Sequence, residues 1–131
     1  MANNFTQFSE CVVCNSEEEA NWLLNALKTH ESDECGQPCE VCLQPGDPKA
    51  VAIYSEETCD LEVLCDILCG FQKKFPSDKA IIVSYAFTCS RPIVEEFGGG
   101  AMVIYGGKDK WIDARMEANK YVERLAKKKK K

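Results

Sequence analysis

AIIVSYAFTC (Ala80–Cys89), followed after SRPIVEEFGGG (Ser90–Gly100) by AMVIYGG (Ala101–Gly107), decides the fold. The first run is apolar and rich in β-branched and aromatic residues, which reads as a strand. Its near-continuous apolarity places it in the interior of a sheet. AMVIY reads as the next strand, terminated by Gly106–Gly107. The residues between hold Pro92 and three glycines, and read as one long loop.

Working outward, EETCDLEVLCDILCGFQKKF (Glu56–Phe75) carries Leu61, Leu64, Cys65, Leu68, Phe71 and Phe75 at helical spacing. Lys73 and Lys74 suit the negative end of the helix dipole, and Pro76 stops the helix. AVAIYS (Ala50–Ser55) is a strand, and CEVCLQ is expected to pair with it as a hairpin across PGDPK. The rest of 31–49 reads as loop. Ser16 and Glu19 fit a capping box. The helix they open carries Trp22, Leu23, Ala26 and Leu27, and ends near His30, whose expected role is a helix C-cap or surface partner. FTQFSECVVC is the first strand. The last helix is predicted to begin near Lys108 or Asp109, with Trp111, Ala118, Val122 and Leu125 inward, and to fray into Lys127–Lys131.

The element order is therefore β-α-β-β-α-β-β-α. Short links between successive strands favour an α+β fold. The expectation is a two-layer sandwich: a mainly antiparallel sheet of about five strands with helices on one face. Residues 1–126 form one domain, and 127–131 a disordered lysine tail.

The chain has 131 residues, 45% of them apolar and 28% charged, enough to bury a core without staples. No apolar run approaches the ~20 residues that span a bilayer. No basic segment precedes an apolar one at the N-terminus, so the expected location is the cytoplasm. The net charge is −5, yet residues 1–126 carry 11 basic and 21 acidic side chains. An acidic body repels nucleic acid, which leaves only the lysine tail to touch it. A protein or a small ligand suits that body better.

Nine cysteines are many for a cytosolic domain. Cys11-x-x-Cys14 and Cys39-x-x-Cys42 could supply four thiolates to a structural zinc, with Cys35 as a substitute. Against this, CVVC lies in a strand, where Cys11 and Cys14 point to opposite faces. Cys65 and Cys69, at i and i+4 on a helix, read as small core residues. The odd count and the lack of an export signal argue against disulfides. The expectation is thus no cofactor, with zinc as the alternative.

The glycine loop decides between binding and packing. No P-loop or dinucleotide fingerprint is present, and Gly98–Gly100 lead into a strand rather than a helix. Packing glycines would allow a bulge or a close backbone approach. As a binding loop, Thr88, Ser90, Arg91 and the amides of Gly98, Gly99 and Gly100 would meet an anion. No nucleophile, base and oxyanion donor assemble anywhere, so an enzyme is not expected.

The segment YAFTCSRPIVEEFGGGAMVIY resembles one found in small uncharacterised bacterial and phage proteins. Their pattern is Thr-Cys-Ser-Lys/Arg-Pro, a spacer, then Phe-Gly-Gly-Gly-Ala. Thr88–Pro92 and Phe97–Ala101 match it, over about a sixth of the chain. The resemblance implies no activity, only that the Cys89 loop and the glycines act as one unit. The expected function is a non-enzymatic interaction protein of phage or mobile-element origin. A binder of a small anion or nucleotide is the second expectation, and a zinc-stapled domain the third.

Overall fold

A computed structural model describes residues 4–29, 38–91 and 97–129. The elements run β1 (Asn4–Val13), α1 (Glu17–Thr29), β2 (Glu40–Leu43), β3 (Ala50–Ser55), α2 (Leu61–Lys74), β4 (Ile81–Cys89), β5 (Gly98–Tyr105), β6 (Lys108–Asp113) and α3 (Ala114–Lys129). His30, Cys35 and Pro92–Glu96, which carried expectations above, lie outside the described residues.

Local chemistry sets the helix starts. The Glu19 amide donates to Ser16 Oγ at 3.2 Å, the serine half of the predicted capping box, while Glu19 Oε2 accepts from the Ser16 hydroxyl at 3.3 Å rather than from its amide. Asp60 caps α2 by accepting from the Val63 amide at 3.2 Å. Asp113 does the same for α3, accepting from Met116 at 2.9 Å. Each such cap is worth about 1 kcal/mol.

The strands form one sheet in the order β2-β3-β1-β4-β5-β6, with every neighbouring pair antiparallel. The α+β class and the β2–β3 hairpin stand as expected. The described residues form six strands rather than about five. The correction lies at Lys108–Asp113, expected as helix and found as β6, in register with Gly100–Tyr105 of β5. Gly106 and Gly107 join these strands with φ of 61° and 77°. A two-residue loop with both φ positive is the turn whose twist suits a hairpin. Trp111 is therefore a strand residue, and α3 starts only at Ala114. β5 likewise starts at Gly98, not Ala101.

Strand alternation sends Phe8, Val12, Val51, Ile53, Val83, Met102 and Ile104 to one face, against Leu23 and Leu27 of α1 and Leu64 and Leu68 of α2. Each fully buried leucine contributes roughly 1.5–3 kcal/mol. Trp22, Phe71 and Phe75 meet with ring centroids 5.6–6.0 Å apart, Trp22 and Phe75 T-shaped and the other pairs tilted, and join the two helices. The other face of the sheet keeps Val13, Ile82 and Tyr105 exposed. β4 is interior, as its apolar run predicts, yet only one of its faces is covered.

Among the described residues two polar side chains are buried, and both are occupied. Gln72 Nε2 donates to the carbonyls of Lys79 and Ile104, each at 3.1 Å, while its Oε1 accepts from the Gly107 amide at 3.0 Å. One side chain thus ties α2 to the β5–β6 turn. Ser55 Oγ sits 2.6 Å from the Thr6 carbonyl and 3.0 Å from that of Thr58, and donates its proton between them.

β1 is the hinge of the sheet. Asn4–Gln7 pair with β4, and Phe8–Val13 pair with β3. Beyond the β1–β4 ladder, the Ser84 amide donates to the Glu10 carboxylate at 3.1 Å. α3 leaves the body with every described side chain exposed, and includes Lys127–Lys129 of the expected tail.

Candidate functional site

The residues proposed for an anion loop do not form a cradle. Thr88 is a β4 residue opposite Phe5, and Gly98, Gly99 and Gly100 stand opposite Phe87, Ala86 and Tyr85. Ser90 and Arg91 are exposed just past the end of β4. Amides strung along a ladder do not converge on a point, as an anion nest requires. The packing role fits the glycines instead. A Cβ on Gly99 would lie 2.7 Å from the Tyr85 carbonyl oxygen, and one on Gly100 would collide with that of Ile112. None of the three has a positive φ.

The cysteine quartet does not assemble either. Cys11 and Cys42 both stand opposite Ala52, on either side of β3, and both are exposed. Two strand spacings separate them by roughly 10 Å, far beyond the reach of one zinc. Cys14 and Cys39 are buried. Burial first, then Glu19, pushes the Cys14 thiol up to about 11. Burial first, then Glu40, pushes Cys39 up to about 12. These two behave as core residues. No disulfide links the described cysteines.

The groups that do converge lie at the other end of the core-facing side, where β6 extends past α2. A cleft of about 840 Å³ opens there. Helical periodicity builds one wall, because Leu61, Glu62, Cys65 and Asp66 share a flank of α2. Cys59 and Asp60 extend that wall before the helix. Strand periodicity builds the floor, because Asp109 and Trp111 alternate onto one face of β6 beside Phe87 of β4. Thr6 closes the β1 end. Tyr85 lies between the rings, 5.2 Å from Phe87 and 6.1 Å from Trp111. The indole N–H of Trp111 donates to Asp109 Oδ2 at 2.9 Å.

Among the described residues no lysine or arginine lines this cleft, and four carboxylates do. At its inner end, the sulfurs of Cys65 and Cys69 and a carboxylate oxygen of Asp109 all lie within 4.8 Å of one another. Burial first, then Cys69 and Asp109, pushes the Cys65 thiol up to about 12. Burial also raises Cys69. An activated nucleophilic thiol needs the reverse, an electropositive setting that lowers its pKa. The carboxylates and rings of the cleft are therefore equipped to attract positive charge.

Sequence reasoning missed this site for two reasons. The i, i+4 spacing of Cys65 and Cys69 is the same for a core stripe and for a ligand pair. Asp109 and Trp111 were assigned to a helix, which separated them from α2. The available signal was the alternation Lys-Asp-Lys-Trp-Ile-Asp after a Gly-Gly turn, which is strand periodicity. Compared with known proteins, the chain matches no protein-family model, no curated protein and no solved structure.

Proposed function

We propose that the protein is a non-enzymatic binding module that holds a positively charged partner, basic side chains of another protein, in the cleft between α2 and β6. One observation carries this reading: Asp60, Glu62, Asp66 and Asp109 line the cleft with the rings of Phe87 and Trp111, and among the described residues no basic side chain lines it. Carboxylates attract ammonium and guanidinium groups, and aromatic faces add about 0.5–1 kcal/mol for a cation stacked on them at an exposed site. The wider charge supports it, since residues 1–113 carry 8 basic and 19 acidic side chains. Such a field speeds the approach of a basic partner. The rival reading, an anion held by Arg91 and the glycine amides, has weaker support because those amides are spread along a strand.

The test is a fluorescence titration with a short oligo-arginine peptide, using an oligo-glutamate peptide as control. The arginine peptide is expected to bind and to weaken as salt is added. Glu62→Gln with Asp66→Asn should weaken it by about 2- to 30-fold, as two exposed ion pairs of about 0.2–1 kcal/mol each are lost. Arg91→Ala should leave it unchanged. Equal binding by the double variant, or preferential binding of oligo-glutamate lost in Arg91→Ala, would overturn the reading.

A further inference from the structure

We infer that Cys65, Cys69 and Asp109 form a binding site for one thiophilic divalent cation of the zinc class, clamping α2 to β6. The inference does not rest on the reading of the cleft as a protein-binding surface, although the two share Asp109. It rests on convergence: three donor atoms from two elements lie within 4.8 Å of one another. Around a tetrahedral zinc, bond lengths of 2.0–2.3 Å set donor separations of roughly 3.3–3.8 Å. Small side-chain rotations close that gap. One helical turn brings both sulfurs to the same flank of α2, and the hairpin turn at Gly106–Gly107 brings Asp109 across to meet them.

The carboxylate is already oriented. Trp111 donates to Asp109 Oδ2 at 2.9 Å, which holds the carboxylate in place. A hydrogen bond of this kind, from a neighbour to a ligand, is what fixes metal ligands in place. Two thiolates and one carboxylate leave a fourth position for water or a donor entering from the cleft. Thiolates make the site soft, which selects zinc, cobalt or cadmium over magnesium or calcium. Both thiols lose their protons to solvent as the ion binds, so affinity rises with pH. The same trio does not suit a disulfide pair. A carboxylate beside two thiols opposes the thiolate that thiol–disulfide exchange needs, whereas a dication relieves that repulsion.

The experiment uses the full chain, reduced and freed of metal, titrated with cobalt(II) and then zinc(II). One cobalt per chain is expected, with a thiolate-to-cobalt charge-transfer band and the intense visible bands of a tetrahedral site, both displaced by zinc. Cys69→Ser and Asp109→Asn should each weaken cobalt binding at least tenfold. Cys11→Ser with Cys42→Ser should not change it. Cys69 and Asp109 are less buried than Cys65, so these variants test the site even if Cys65→Ser fails to fold. Absence of the charge-transfer band would overturn the inference. So would unchanged affinity in Cys69→Ser, or loss of two thiols to a reducible disulfide in place of metal uptake.

Discussion

An alanine placed at each of Gly98, Gly99 and Gly100 meets three different surroundings. At Gly98 the nearest atom to a new Cβ is Phe87 Cδ2 at 3.7 Å, an ordinary contact. Gly98→Ala should therefore be neutral or stabilise by up to about 1 kcal/mol, through loss of chain entropy in the unfolded state. At Gly100 the new atom falls on the Ile112 carbonyl, so β5 and β6 must separate. Gly100→Ala should destabilise by about 1–3 kcal/mol, and Gly99→Ala should lie between. Urea midpoints for the three variants give the order. Equal midpoints would remove the case for close backbone approach. That packing role was legible in the sequence, because glycine entering a strand has few other uses. Gln72 was not legible, since a lone glutamine in an amphipathic helix resembles a surface residue. Its three bonds, two of them buried, predict that Gln72→Leu costs about 2–3 kcal/mol, read by the same denaturation. The apolar replacement strands the Gly107 amide and two carbonyls.

Elements were legible where burial and periodicity agreed. α1 and α2 show apolar stripes that do become the core, so their spacing alone located them. β6 failed because its alternating residues are mostly charged, so hydrophobic periodicity had little to report. α3 poses the opposite case. Its stripe of Ala118, Val122 and Leu125 reads as inward-facing, yet Val122 and Leu125 are exposed at 62% and 42%. By that point in the chain α1 and α2 already cover the sheet's packed face. An unpacked helix of this length is marginal, because tertiary contacts supply most helical stability. Hydrogen exchange should follow. Amides in the C-terminal half of α3 should exchange at least about 100-fold faster than those of Leu64–Phe71 in α2. Comparable protection in the isolated protein would mean that α3 is covered in solution. Binding of a partner along α3 would be read as a rise in the same protection.

Across the whole molecule, the cysteines divide by environment rather than by sequence spacing. The Cys-x-x-Cys pairs were visible in the sequence, and the sheet splits both between solvent and core. The pair that converges was hidden, because its third member reaches it only through a hairpin distant in sequence. The two buried members of the split pairs make stability depend on alkaline pH. Cys14 and Cys39 ionise near 11 and 12 in the folded chain, with burial as the leading cause in both. In the unfolded chain they ionise near the ordinary thiol value, about 8.5. Between those values the unfolded state has released protons that the folded state keeps. It binds fewer protons, so unfolding free energy falls as pH rises. This contribution is full below about pH 8.5, declines above it, and is lost by about pH 12. Glu19 and Cys11 act on Cys14, and Glu40 on Cys39, in the same direction as burial. Urea midpoints measured from about pH 8 to about pH 11 should therefore fall. The fall should be shallower in Cys14→Ala with Cys39→Ala, even though that variant starts less stable at neutral pH. Parallel curves would show that lysine and tyrosine ionisation alone sets the alkaline limit. A shallower variant curve would place these two thiols inside the core at the expense of their charge.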